Sequence, residues 1–332
     1  MSFWTPSTFA AITDGRWLVA PEDPESCLRG AGIDTRTLRP GDAFVAIAGE
    51  RFDGHDFLAA ASAAGAAIAI VEREVSLADA AATDSGCRLP ILQVASTVGA
   101  LQSLAGAYRQ VLRAGGCRVV SVSGSNGKTT TRHLIHHTLS HAGLTGTQSP
   151  KSFNNHLGVP LTLLAARPEH DFLTCEVGTN HPGEIAELAA LVRPDIAVLT
   201  SIGEEHLEFF RDLAGVAREE AAIFPFVEPT GTLLLPAPHW LPVPLDPPAD
   251  APYACQRFDL DPLADDLPLP GAHNRLNGSA AAAVARLFGI DGPAIAQALR
   301  AAGTMPMRCE VLFAHAPGRP TVINDAYNAN PT

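Results

Sequence analysis

The stretch Arg118-Val119-Val120-Ser121-Val122-Ser123-Gly124-Ser125-Asn126-Gly127-Lys128-Thr129-Thr130-Thr131 constrains this chain more than any other. Its β-branched apolar run reads as a buried strand and is followed by a glycine-bearing turn. From Thr129 to Ala142 the spacing of Leu134, Ile135, Thr138, Leu139 and Ala142 then predicts a helix closed by Gly143. Strand, glycine turn and helix in that order make a phosphate-binding loop. Glycines let backbone N–H groups converge on a polyphosphate at a helix N-terminus, a lysine adds a point charge, and the next hydroxyl can hold Mg²⁺. Lys128 and Thr129 fill the last two roles. The general pattern G-x-x-x-x-G-K-[ST] asks for glycine where Val122 stands and finds Gly124 instead, so the loop is read as a shortened one.

The chain has 332 residues, more than one typical domain, which predicts two domains with room for part of a third. A net charge of −12 argues against a nucleic-acid or anionic-membrane surface, so an anionic ligand must be held by local groups. Cys27, Cys87, Cys117, Cys175, Cys255 and Cys309 show no C-x-x-C pair or metal-ligand spacing and are expected to be reduced, buried thiols of a cytoplasmic protein. The N-terminus has no basic-then-apolar signal segment. The uncharged run from Phe57 to Val71 is shorter than the ~20 residues needed to span a bilayer and reads as helix, turn and strand.

In chain order, residues 1–90 alternate short strands with alanine-rich helices. Ala43 to Ala48 is strand-like, and the polar loop from Gly49 to Asp56 leads into a helix. Arg36 and Arg51 either face an anionic ligand or are solvated surface arginines. Thr97 to Arg113 is an amphipathic helix ending at Gly115-Gly116, and the domain junction is placed at its front end. Phe172 to Val177 and Asp195 to Thr200 are further strands. Strands alternating with helices imply a parallel sheet whose ligands sit outside the carboxyl ends of the strands, bringing Glu176 and His206 towards the crevice of the phosphate loop. An acid at a strand end either partners the loop Thr around Mg²⁺ or caps a helix. His133, His137 and His141 recur at i, i+4 and i+8, but the set brings no carboxylate and reads as a solvated helix face. Pro236 to Pro270 is expected to be a long irregular connection. Gly271 opens a helix to Phe288, Asp291 to Ala302 is another, and Val322 begins a strand and an active-site loop.

Together these residues resemble the Mur ligase family, and within it the branch that adds D-alanyl-D-alanine to UDP-N-acetylmuramoyl-tripeptide. Asp34-Thr35-Arg36, Arg39-Pro40-Gly41-Asp42 and Gly49-Glu50-Arg51-Phe52-Asp53-Gly54-His55 look like its UDP-binding domain. Gly124 to Thr130 is similar to the family's own short loop. Asn154-Asn155-His156-Leu157-Gly158, Glu176 to Glu184, Gly203 to Glu208, His273-Asn274 and Asp325 to Pro331 complete an ordered series. The implied fold is α/β: a P-loop central domain, residues 91–314, with a mostly parallel sheet flanked by helices. A smaller α/β UDP-binding domain, residues 1–90, precedes it, and residues 315–332 begin a C-terminal domain.

The resemblance implies an ATP-dependent, acyl-phosphate-forming peptide ligase of peptidoglycan and cell-wall synthesis, cytoplasmic, monomeric, and without nucleic-acid or membrane partners. By this resemblance Gly124, Ser125, Asn126, Gly127, Lys128, Thr129 and Thr130 hold the ATP phosphates. Thr129 and Glu176 hold one Mg²⁺ and His206 helps hold a second, Asn274 contacts adenine, Arg308 the phosphates or ribose, and Asp325 the ribose. Asp34, Thr35 and Arg36 bind the UDP substrate, and Asn154 and Asn155 lie near the acceptor. The family carries a carbamoylated lysine where this chain has Glu220, whose shorter arm reaches a metal only through water or a backbone shift. The stretch from Leu235 to Gly271 is also shorter and richer in proline than the family's. The chain stops at Thr332 where the family's C-terminal domain begins, so it is expected to bind substrates yet turn over poorly. Alternatives are a folylpolyglutamate synthase-like ligase and a non-catalytic nucleotide- or UDP-sugar-binding relative. Whether the third acceptor residue is lysine or diaminopimelate depends on pocket shape.

Overall fold

The computed structural model describes residues 2–75, 88–312 and 320–327. Cys87 and Asn328 to Pro331 of the last motif fall outside these residues, as do most of positions 315–332. The chain divides into two compact units, Met1–Ala114 with His156–Arg167, and Gly115–Asn155 with Pro168–Thr332.

In the first unit five strands, β1 (Arg16–Val19), β2 (Ala31–Gly32), β3 (Ala43–Val45), β4 (Ile68–Val71) and β5 (Ile91–Gln93), form a sheet in the order β1-β5-β4-β3-β2. Only the β1–β5 pair is antiparallel. Helices α1 (Pro6–Thr13), α2 (Leu58–Ala63) and α3 (Thr97–Ala114) accompany it. Phe44, Leu58, Ala61, Ala69, Val71, Leu89 and Ile91 form its core, as the apolar run from Phe57 to Val71 leads one to expect. Helix α3 belongs here, and not to the second unit as a junction in front of it requires. Its buried Tyr108 stacks against Phe3 and Trp4, with ring centroids 4.6 and 5.1 Å away, and donates to the Ala166 carbonyl at 3.0 Å. The apolar face that predicted a helix does not itself say which neighbour it buries against.

The second unit is built on strands β6 (Arg118–Ser123), β7 (Gly146–Gln148), β8 (Phe172–Glu176), β9 (Ile196–Leu199), β10 (Thr232–Pro236) and β11 (Ala254–Phe258), all parallel in the order β11-β10-β9-β6-β8-β7. Its helices are α4 (Lys128–His141), α6 (Glu184–Val192), α7 (Leu207–Phe210), α8 (Leu213–Glu220), α9 (Ala272–Leu287) and α10 (Gly292–Arg300); α5 (Gly158–Ala165) between them in sequence joins the first unit. Strands β6, β8 and β9 are buried on both faces, as parallel strands between helices must be. Val120, Val122, Leu134, Ile135, Leu139, Val198 and Ala280, Ala281, Ala282 and Ala285 of α9 share one core, small side chains letting α9 lie close to α4. The stretch from Pro236 to Pro270 is not wholly irregular. The proline-free Ala254–Phe258 adds the edge strand β11, mostly exposed, where one side of the backbone needs no partner. Strands β12 (Glu310–Leu312) and β13 (Val322–Asn324) form an antiparallel pair.

Cys117 and Cys175 are buried thiols, as expected, but Cys27 and Cys255 are exposed. His133 and His137 are half-buried, not solvated, and the His137 ring nitrogen pairs with the Ala298 carbonyl at 3.0 Å. Burial pushes the His133 imidazole down to about 4.

Candidate functional site

Register assembles the site. β6 pairs with β8 so that Val122 lies opposite Glu176, and with β9 so that Ser123 lies opposite Leu199. The segments leaving the carboxyl ends of three adjacent strands, 124–130, 176–180 and 200–207, therefore converge. They line a cavity of about 1050 Å³, completed by Asn274 and Asn277 from α9 and by Arg308, Asp325 and Tyr327.

The loop between β6 and α4 is held from below. Gly124 at φ 117 and Gly127 at φ 81 occupy backbone conformations that side chains disfavour. A Cβ on Gly127 would lie 2.5 Å from Asn277 Oδ1, and one on Gly124 would lie 2.9 Å from the Ser201 nitrogen. Ser125 N donates to Ser201 O and Asn126 N to Ser201 Oγ, while Gly203 N donates to Ser125 Oγ at 2.9 Å. Helix α4 has no side-chain cap and no acidic residue in its first turn, leaving its positive end to an anion. Lys128 Nζ donates to the loop carbonyls of Gly124 and Ser125 and stands 3.9 Å from Glu205.

Glu176 is buried. Its backbone N–H donates to Ser149 Oγ, Asn154 Nδ2 donates to its Oε1 at 3.0 Å, and its Oε2 has no hydrogen-bond partner. Glu205 Oε1 is likewise buried and unpartnered. His206, at φ 47, is exposed and lines the cavity. Among the described residues no group of three or more His, Cys, Asp and Glu side chains is arranged to hold a metal by itself. The donor set nonetheless suits Mg²⁺, which typically takes one or two carboxylates and completes its shell with phosphate and water. At the far end Arg308 lies over the Tyr327 ring at 4.1 Å, and Asp325 accepts from Cys309 N at 3.0 Å. Asn274 Nδ2 donates to the Pro270 carbonyl and its Oδ1 accepts from Asn277.

Of the residues expected from sequence, Ser125, Asn126, Gly127, Lys128, Thr129, Thr130, Asn154, Glu176, His206, Asn274, Arg308 and Asp325 line this one cavity. Glu220 does not. It is fully buried beneath the loop, where Oε2 accepts from Gly124 N at 2.8 Å and Oε1 is unpartnered. Burial pushes its carboxyl up to about 8, against the opposing pull of Lys128. Asn155 is exposed outside the cavity lining. Asp34, Thr35 and Arg36 lie in the first unit, where Arg36 hydrogen-bonds Asp34 and holds its carboxyl down to about 2.

Sequence reasoning passed over Arg132, Glu205 and Asn277. Arg132 falls one helical turn after Lys128, and Asn277 three residues after Asn274, so helical spacing held the signal for both.

Residues 28–109 match the Mur ligase family, catalytic domain, and residues 122–239 match the Mur ligase middle domain. The UDP-N-acetylmuramoyl-tripeptide--D-alanyl-D-alanine ligase of Bacillus subtilis is 32% identical over 95% of this chain and 70% of its own length. A crystal structure of MurF from Acinetobacter baumannii superposes with a TM-score of 0.80 at 30% identity, over 99% of this chain and 74% of that one. The structure of MurF ligase from Thermotoga maritima in complex with ADP gives a TM-score of 0.69 at 26% identity, over 91% of this chain and 72% of that one. With the loop, the parallel sheet and the order of its strand-end residues, these similarities place the chain in the Mur ligase family.

Proposed function

We propose that this chain acts as an ATP-dependent amide-forming ligase, joining D-alanyl-D-alanine to UDP-N-acetylmuramoyl-tripeptide in the making of peptidoglycan precursors. The observation that carries this reading is the convergence of the loop, Glu176 and His206 on one cavity. The terminal carboxylate of the tripeptide attacks the γ-phosphorus of ATP, releasing ADP and leaving an acyl phosphate. The amine of D-alanyl-D-alanine then attacks the acyl carbon, the bond to phosphate breaks, the amine nitrogen gives up a proton, and an amide and inorganic phosphate result.

The protein's part is positioning and charge neutralisation. The N–H groups at the start of α4 and Lys128 receive the phosphates, Lys128 exchanging loop carbonyls for phosphate oxygens. Asn154 occupies one Glu176 oxygen, and the other, buried beside Arg132, has no hydrogen-bond partner of its own. Thr129, Glu176 and His206 would hold Mg²⁺, whose chemistry is to offset the charge developing on the transferred phosphoryl group. Asn274 takes the adenine end, Arg308 and Asp325 the ribose end, and Asp34, Thr35 and Arg36 of the first unit the UDP moiety. Glu220 acts as a buried support of the loop, not a metal ligand. The working compartment is the cytoplasm, where ATP and UDP-linked precursors are found, and the working form is a monomer.

The position of Glu220 favours a second reading, a nucleotide-binding relative without turnover. Phosphate release measured with each component withheld in turn separates the two. Release that needs ATP, Mg²⁺, UDP-N-acetylmuramoyl-tripeptide and D-alanyl-D-alanine together supports the ligase. Nucleotide binding with no release in any mixture supports the second reading, and release with a folate acceptor supports a folylpolyglutamate synthase-like activity.

A further inference from the structure

Arg132 is a buried cation that the phosphate-loop motif does not account for. Three groups surround its guanidinium. Nη1 donates to Gln148 Oε1 at the end of β7, Nη2 donates to the Lys151 carbonyl at 2.8 Å, and Nε faces Glu176 Oε2 at 3.8 Å. That last separation is too long for a hydrogen bond, and both atoms lack a hydrogen-bond partner. The contact is therefore one of charge, in a place where burial leaves charge poorly screened. On the other side of the same carboxylate Asn154 donates to Oε1. Glu176 is thus gripped between a guanidinium carried by α4 and an amide carried by the segment 148–155. That segment contains a strained turn at Lys151, whose φ is 49, and the carbonyl of this turn is the one that Arg132 holds.

We propose that Arg132 is a positioning residue coupling the nucleotide-binding helix to the segment 148–155 and to Glu176. Through its fork it holds the strained turn; through its charge it fixes the direction of the Glu176 carboxylate. A planar guanidinium serves two acceptors and a carboxylate at once, which an ammonium of the same reach does not. The inference rests on the reading of Glu176 as a cation ligand given above.

The test is calorimetry of ADP binding to this chain, with Mg²⁺ and with EDTA, together with amide hydrogen exchange over 149–155. Wild type is compared with Arg132→Gln, Arg132→Lys, Gln148→Ala and Glu176→Gln. We expect ADP affinity in EDTA to stay within about twofold in Arg132→Gln, Arg132→Lys and Gln148→Ala. The Mg²⁺-dependent gain should fall by about tenfold or more in Arg132→Gln, as for loss of an outer-shell partner. Arg132→Lys should recover part of that gain. Exchange over 149–155 should rise in Arg132→Gln but not in Glu176→Gln. Should Arg132→Gln fail to fold, Gln148→Ala, which removes one partner and keeps the charge, must shift both readouts in the same direction by less. If Glu176→Gln loses the Mg²⁺ gain while Arg132→Gln keeps it, the coupling is refuted. If Glu176→Gln itself keeps the gain, the assignment of Glu176 is wrong, and unchanged exchange in Arg132→Gln would then dispose of the hold on the turn as well.

Discussion

Replacing Gly124 by alanine tests how the phosphate loop is held. At φ 117 an added side chain is strained wherever it points, a cost of about 1–3 kcal/mol. Its Cβ would also press on Thr200 Oγ1 and lie 2.9 Å from both N and O of Ser201. Those backbone atoms are fixed by the bonds that hold 124–126 against 200–203, so they yield only with the loop. Overpacking of this kind adds about 1–3 kcal/mol, giving a total of about 2–6 kcal/mol. Gly116→Ala is the control: it shares the positive φ, at 90, but its Cβ meets nothing within 4 Å. That variant should lose about 1–2 kcal/mol from strain, partly offset by about 0.4–1 kcal/mol from a stiffer unfolded chain. Urea unfolding followed by circular dichroism gives both midpoints, compared at unchanged m. Calorimetry with ADP should show at least about tenfold weaker binding for Gly124→Ala alone, since a loop displaced by a fraction of an ångström misaims its N–H groups. Equal midpoints in the two variants, or full ADP affinity in Gly124→Ala, would refute the account of the loop as clamped by the segment after β9.

Lys128→Ala should abolish measurable ADP and ATP binding, because it removes both the phosphate's point charge and the brace on Gly124 and Ser125; unchanged calorimetric affinity would contradict this. For Glu220, the folded carboxyl titrates near 8 against an ordinary value of 4.5. The folded state therefore holds the extra proton between those values, and stability should fall as pH rises through that window. Glu220→Gln should flatten this slope, and urea midpoints that fall equally in both proteins between pH 5 and 8 would refute it. Cys175, with its thiol pushed up to about 12 by burial, should resist iodoacetamide until the protein is unfolded, while exposed Cys27 is alkylated in the native state. Peptide mass spectrometry reads both.

What the sequence determined by itself was local. The β-branched run, the two glycines and Lys128-Thr129 specify strand, turn and helix within a few residues of one another, so α4 begins within one residue of where spacing put it. Gly116 and Gly143, both at positive φ, end helices for the same reason. The ordered motifs also carried the family and the α/β class, because those at Gly124, Glu176 and Gly203 lie at or just past the carboxyl ends of β6, β8 and β9, where a parallel sheet exposes its loops. Tertiary structure decided everything that depends on which elements become neighbours. The pairing of Val122 with Glu176 is a matter of register between strands some fifty residues apart, and it alone brings Glu176 beside the loop. Whether α3 buries its face in the first unit or the second, and whether Ala254–Phe258 finds an edge to join, follow from packing partners that no local pattern names. Glu220 and Arg132 show this most sharply. Each is a charged residue on an amphipathic helix, and only the assembled sheet shows one beneath Gly124, where burial favours its protonated form, and the other against Glu176.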